Sequence, residues 1–339
     1  MIQEFHIKNC GLIKDVQQKN TASINLIIGE NDTGKTFILK SLYVLVKSLE
    51  TFNRGDAKHN FRQLVSRKIK WTFNLDRIGD LVSKGGGDKL SIEAKIDEQN
   101  IYTSFTSSAN TEVGDITSLV DNRDAQSVFI PAKEVLSLSS IIRTSRERDL
   151  VFGFDDTYLD LVNAIDPEPM KGKNKADFAM VRKILANLLG GKVERKDNQW
   201  IFKKGNKQFT IFSTAEGVKK IAIIDRLIGN KTLSSGSILF IDEPEAVLHP
   251  KAIVDFLDII QLLSNSGIQV FMATHSYFVI KKLQLIAEKS NISIPVISLK
   301  KEHDTVEYFD LLNGMPPNPI VDVSVRLYEE EIKQQFDGN

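Results

Sequence analysis

Gly29-Glu30-Asn31-Asp32-Thr33-Gly34-Lys35-Thr36 is the most informative segment of the chain. It matches the spacing G-x-x-x-x-G-K-[ST], and its surroundings are those the pattern needs. Before it, Ile24-Asn-Leu-Ile-Ile28 is a short apolar run. After it, residues 36–49 are apolar on nearly every face, as in a buried helix. A strand, a tight loop and a helix follow one another. The glycines let the backbone curl so that its N–H groups, with the positive end of the helix, surround phosphates. Lys35 then neutralises β/γ oxygens, and the Thr36 hydroxyl is a ligand for Mg²⁺.

Ile238-Leu-Phe-Ile-Asp242-Glu243-Pro244-Glu245 is an apolar strand that ends in adjacent carboxylates. In that arrangement Asp242 holds Mg²⁺ through water and Glu243 polarises an attacking water, with Glu245 the alternative base. Ala273-Thr274-His275-Ser276 follows the next apolar strand and brings an imidazole to the same sheet edge. His275 is therefore the candidate for contacting a γ-phosphate or the water. His249, in Leu248-His249-Pro250, opens a helix and reads as a cap or a subunit contact, while His6, His59 and His303 have no motif around them.

Between these motifs the pattern predicts a hairpin from residues 90–96 and 101–105 after the turn Gly85-Gly86-Gly87. A strand at 128–130 is stopped by Pro131. A helical stretch at 141–189 is interrupted by a loop at 166–175, and a small meander at 192–211 has turns at Asp197-Asn198 and Gly205-Asn206. Helices are expected at 218–227, 252–263 and 277–288, and a strand at 268–273. Continuous apolar strands alternating with helices mean a parallel sheet covered on both faces. The chain reads as one domain over residues 1–339, with a P-loop lobe (1–50), a β subdomain and linker (51–127), a helical insert (140–190) and a last part (191–339) carrying the remaining motifs.

Residues 29–36, 238–250 and 270–276 resemble the Walker A, Walker B with D-loop, and H-loop of ABC-type ATPases. The form Asp-Glu-Pro-Glu-x-x-Leu-His-Pro is similar to the SMC/RecF-like, AAA-labelled branch, which includes the ATPases of OLD-type and Septu-type anti-phage systems. The opening residues 2–15, Phe129-Ile-Pro-Ala-Lys133-Glu134 and Asn313-Gly-Met-Pro-Pro-Asn-Pro-Ile320 resemble that branch too. The resemblance implies an α/β P-loop NTPase fold: an ABC-type ATPase head with an antiparallel β subdomain and a helical insert. It also implies ATP as substrate, Mg²⁺ as cofactor, and homodimers or higher oligomers closing around Mg-ATP. The place of the signature loop falls on Ser213-Thr214-Ala215-Glu216-Gly217-Val218-Lys219-Lys220, which would donate N–H groups to ATP on the other subunit. Ala215 stands where the family usually has serine, so Ser213, Thr214 or Lys219 would have to supply the missing hydroxyl's role. Ala132-Lys133 falls where the Q-loop glutamine would be, leaving Lys133 or Glu134 as the sensor.

Lys plus Arg equals Asp plus Glu at 44 each, so any affinity for nucleic acid must come from a local patch. Two clusters offer one for DNA: Arg62, Arg67, Lys68, Lys70 and Trp71, and Arg143, Arg146 and Arg148. The single cysteine, Cys10, fits a reducing compartment. Glu4, His6 and Lys8 break the apolar core a secretory signal needs, and no apolar run approaches the roughly 20 residues of a membrane span. A cytoplasmic protein without a membrane partner is expected. The roughly 60 residues after His275 are expected to be too few for the Toprim nuclease domain of OLD-type proteins. The output is therefore expected to be a separately encoded protein effector, a nuclease among the candidates, in an anti-phage system. The alternatives are a RecF-like DNA-repair ATPase, a transporter subunit, disfavoured by the absence of Leu-Ser-Gly-Gly-Gln, and a non-catalytic scaffold held by ATP.

Overall fold

A β-branched apolar run that does not alternate must be covered on both faces. The computed structural model describes residues 1–54, 60–85, 89–170, 176–196, 199–301 and 305–337, and it buries the run at every position as β3 (Ile24–Gly29). His59, His303, Gly86 and Gly87, the end of the 166–175 loop and the Asp197-Asn198 turn lie outside the described residues. β3 sits inside a six-stranded sheet. Its order is β14 (Val306–Asp310), β13 (Pro295–Leu299), β3, β12 (Gln269–Thr274), β11 (Ile238–Asp242) and β7 (Ser127–Ile130). All neighbours are parallel except β13 and β14. Asp242 pairs with Ala273, and Thr274 with Ile28, so the carboxyl ends of β3, β11 and β12 reach the same edge.

A second sheet is antiparallel throughout, in the order β2 (Ile13–Gln18), β1 (Ile2–Cys10), β4 (Lys89–Ile96), β5 (Gln99–Thr106), β6 (Asp115–Ile116). The predicted hairpin is β4–β5, and its two turn residues, Asp97 and Glu98, have φ of 46° and 68°. Positive φ at both positions matches the right-handed twist of the flanking strands. The chain's first two strands join this hairpin, a long-range pairing that local patterning does not show. The predicted meander is β8 (Lys192–Lys196), β9 (Gln199–Lys204) and β10 (Lys207–Thr210).

Side-chain alternation along the central strands divides the interior into two cores. Ile27, Phe129, Phe240 and Phe271 face the antiparallel sheet, α1 (Lys35–Thr51) and α2 (Phe61–Thr72). Leu26, Ile28, Leu239, Ile241 and Met272 belong to the opposite core, with helices on that side. Phe129, Phe240 and Phe271 stack across three neighbouring strands, with centroids 6.2 and 5.6 Å apart. Tyr43 of α1 meets Phe129 and Phe240 edge-on, a favourable geometry that seats the helix on the sheet.

The stretch read as helical contains α3 (Ser139–Arg143), a π-turn over Thr144–Arg148, α4 (Asp156–Ile165) and α5 (Ala176–Leu189). After the meander come α6 (Glu216–Gly229), α7 (Pro250–Asn265) and α8 (Tyr277–Ser290), close to their expected bounds. His249 caps α7, its Nδ1 accepting from the Lys251 N–H at 3.2 Å. α9 (Pro319–Asp337) and the pair β13–β14 carried no clear sequence signal. Among the described residues no helix is long and apolar enough to cross a membrane.

Two polar devices tie the layers together. Arg123, 3% exposed, donates to Asp97 at 2.8 Å and to Glu50, Ala125 O and Gly236 O, so one guanidinium joins the hairpin turn, the end of α1 and the entries to β7 and β11. Asp155 caps α4 by accepting from the Thr157 N–H at 2.8 Å and also receives Lys40 of α1 at 2.7 Å. Asp155→Ala removes the cap and leaves Lys40 without its partner, and is expected to cost about 2 kcal/mol or more. Urea denaturation reads this directly, and an unchanged midpoint would show that the cap carries no weight.

Candidate active site

The phosphate loop keeps its shape through backbone that only small residues allow. A Cβ on Gly29 would lie 2.6 Å from the Leu299 carbonyl oxygen, and Gly34, at φ 94°, is in the left-handed region. Gly34 precedes α1 with no side chain capping its N–H groups and no acid in the first turn. The positive helix end is thus open to an anion. Lys35 bends back over the loop, donating to Gly29 O at 2.8 Å and Glu30 O at 2.6 Å. Burial lowers its pKa, opposed by Asp242, Glu243, Glu245 and Asp32. Residues 31–36, Glu243 and His275 open on a single cleft of about 500 Å³.

Thr36 and Asp242, far apart in sequence, meet at this edge: Thr36 Oγ1 donates to Asp242 Oδ2 at 2.9 Å. Asp242 Oδ1 is buried and has no partner among the described residues. Burial raises the Asp242 carboxyl to about 6, the Thr36 hydrogen bond working against this and the Glu243 charge with it. A hydroxyl beside a carboxylate with a spare oxygen fits a small hard cation. No cluster of three or more His, Cys, Asp or Glu suited to a metal occurs among the described residues. The other ligands of a Mg²⁺ held by Thr36 and Asp242 would be phosphate and water oxygens.

The two glutamates differ in freedom. Glu245, 10% exposed, accepts from Thr274 Oγ1 at 2.7 Å and from the His275 N–H at 3.0 Å, so it props the turn after β12. Glu243, 34% exposed, faces the cleft, with Oε1 3.5 Å from His275 Nδ1. Its backbone takes φ 48° and is pinned by its own N–H to Ala273 O at 2.9 Å. Lys220 adds a second pin, donating to Glu243 O at 3.2 Å and Pro244 O at 3.1 Å. Burial lowers the Lys220 ammonium to about 8 against the pull of Glu245, Glu243 and Asp242. In the sequence Lys220 is legible only as the end of the signature stretch. The one signal is a pair of lysines directly before the apolar run Ile221–Ile224 of α6.

Thr214, Ala215, Glu216, Gly217 and Lys219 do not line this cleft. Ala215 precedes α6 without a side-chain cap, leaving that helix end open. Lys219 is buried and engaged at home, at 2.7 Å from Glu216 and 3.1 Å from Ser137 Oγ. Thr214 Oγ1 donates to Thr210 O at 3.1 Å. A Cβ at Gly217 would sit 3.4 Å from Leu248 Cδ2. Glu134 accepts from Ser137 N at 3.0 Å, while Lys133 is exposed. The two basic clusters are not continuous solvated faces. Lys68 bonds Asp156 and Asp160, Arg146 is buried against Asp156, Arg62 donates to Val113 O and Gly114 O, and Arg143 pairs with Asp166.

A phosphate loop after the third strand of a mostly parallel sheet, with a Thr–Asp pair beneath it and a glutamate and histidine across the cleft, defines the class of P-loop ATPases. Residues 24–281 match the family described as "AAA domain, putative AbiEii toxin, Type IV TA system". The chain belongs to that family. No curated protein matches it in sequence. In structure it is similar to an Smc head bound to the C-winged helix domain of ScpA, with TM-score 0.53 and 14% identity over 91% of this chain and 97% of that one. It is also similar to an Smc head with an extended coiled coil bound to the C-terminal domain of ScpA, from Pyrococcus furiosus, with TM-score 0.52 and 10% identity over 97% and 98%. At such identities the likeness is one of fold: the chain has an SMC-head-like P-loop ATPase fold.

Proposed function

We propose that the chain binds Mg-ATP on residues 29–36, hydrolyses it with Glu243 as general base, and closes on a second copy of itself to control a separately encoded protein effector. The observation that carries the reading is the Thr36–Asp242 contact at 2.9 Å, with Glu243 and His275 opening on the same cleft. Mg²⁺, when bound there, would neutralise charge on the β- and γ-phosphates. Lys35 exchanges its two loop carbonyls for phosphate oxygens. Glu243 orients a water for in-line attack on the γ-phosphorus and takes its proton as ADP leaves. His275, poised beside Glu243, contacts the γ-phosphate. Glu245 and Lys220 hold the two turns that aim these groups.

The trans arrangement rests on two features. The N-terminus of α6 has no capping side chain. Phe212 and Val247, 72% and 70% exposed, lie next to the signature stretch and the carboxylate turn, surfaces that a partner would cover. With Lys219 and Thr214 both buried and engaged within their own chain, exposed Ser213 is the better replacement for the missing serine hydroxyl, and exposed Lys133 the better sensor. The Smc heads bound to ScpA support a protein partner, and the family's description, naming a toxin of a type IV TA system, fits paired components in defence.

Gly217→Trp tests closure. The indole would block approach of a partner's phosphates to the α6 N-terminus. Light scattering of Glu243→Gln with Mg-ATP is expected to show a doubled mass, lost when Gly217→Trp is added. A single mass in all nucleotide states would refute the sandwich. Pull-downs with and without ATP then test the effector, expected to be captured in one nucleotide state only.

A further inference from the structure

A second cavity of about 500 Å³ lies away from the ATP cleft, between the C-terminal half of α1, α2, the π-turn and the start of α4. We propose that it is a binding site for a small organic oxyanion, a carboxylate or phosphate carried on an apolar or aromatic body.

The argument starts from Arg146. Its side chain is 3% exposed and lines the cavity. The guanidinium lies 3.8 Å from the centre of the Trp71 ring, and Nη2 donates to Asp156. Its Nε and Nη1 are buried and meet no acceptor among the described residues. A buried charged donor left unpaired is costly, so an acceptor in the cavity repays the small side-chain shift that brings Nε and Nη1 to its wall. The neighbours do not supply one. Asp156 and Asp160 are taken by Lys68, at 2.9 and 2.6 Å. Lys47 is paired with Glu50 at 2.8 Å. Glu147 is exposed and has no partner among the described residues, so it can turn to solvent when an anion enters.

Arg67 completes the constellation. It is exposed, lines the cavity one helical turn before Trp71, and has no ion pair or hydrogen bond among the described residues. Two guanidinium groups with free N–H positions, one buried and one at the mouth, suit a planar oxyanion, which arginine binds through paired donors. Leu64, Leu150, Leu159 and Trp71 give the cavity an apolar side, beside the polar Ser48 and Thr51, and Phe152 packs edge-on against Trp71 at 5.1 Å. The volume lies within the range of small-molecule sites.

The test uses the full chain carrying Trp200→Phe, which leaves Trp71 as the one remaining tryptophan of two. Its fluorescence is followed during titration with phenyl phosphate and, separately, phenylacetate. A saturable change with either probe is expected, and the probe that acts identifies which oxyanion the site prefers. Arg67→Ala, an exposed residue whose loss spares the fold, is expected to weaken binding about tenfold. Arg146→Lys keeps a cation for Asp156 but loses the fork, and is expected to weaken binding at least as much. No saturable response to either probe up to about 10 mM overturns the proposal. So does a response that both arginine variants leave unchanged, since the probe would then be bound elsewhere.

Discussion

Glu243→Gln is expected to lower ATP hydrolysis by about 10²- to 10⁴-fold, the usual loss when a positioned general base is removed. Mg-ATP binding should survive. Glutamine has the same shape, so the φ of 48° at this position is no harder to hold than before. The Lys220 and Ala273 contacts that fix the turn involve backbone atoms of residue 243, which the substitution leaves in place. What disappears is the charge beside His275 and the ability to take a proton from water. Single-turnover hydrolysis measured beside calorimetric ATP binding separates the two effects. If the variant hydrolyses ATP at the wild-type rate, the base is another group, and Glu245 is the next to examine. If neither protein turns ATP over, the chain is an ATP-held scaffold.

Lys35→Ala is expected to weaken Mg-ATP binding by about 100-fold or more, because a charge-assisted contact to phosphate is worth about 1.5–3 kcal/mol and the proposed binding mode gives this lysine more than one. The structure adds a second loss. Lys35 is the cation at the centre of Asp32, Asp242, Glu243 and Glu245, and without it those acids repel an incoming triphosphate. Calorimetry at low ionic strength reads both contributions. An unchanged affinity would place the nucleotide elsewhere.

The parts of this architecture that the sequence reveals are those whose signal is local. The P-loop needs eight consecutive residues, and β3, β11 and β12 announce themselves as largely apolar runs without alternation because parallel strands are covered on both faces. Their order then puts Thr36, Asp242, Glu243 and His275 at a shared edge. Long-range pairing was hidden. β1 and β2 read as an opening motif, yet β1 pairs with β4 across some 80 residues. β13 begins at Pro295 and is short, and α2 looked like a run of charge because half its cations are engaged by backbone or by acids of α4. The division of labour between Glu243 and Glu245 was also invisible, since it depends on Thr274 and the His275 N–H reaching one of them and not the other.

Arg123 has a consequence for the order of events during synthesis. The antiparallel sheet is complete in sequence by Ile116, and α1 well before that, yet the guanidinium that locks them also needs Gly236 O at the entry to β11. A nascent chain emerges at about 5–20 residues per second and tends to fold from its N-terminal part first. The early half must therefore wait, with Asp97 and Glu50 in place and the fourth partner still inside the ribosome, until more than a hundred further residues have been added. The two halves of this head are thus expected to become native together rather than in turn.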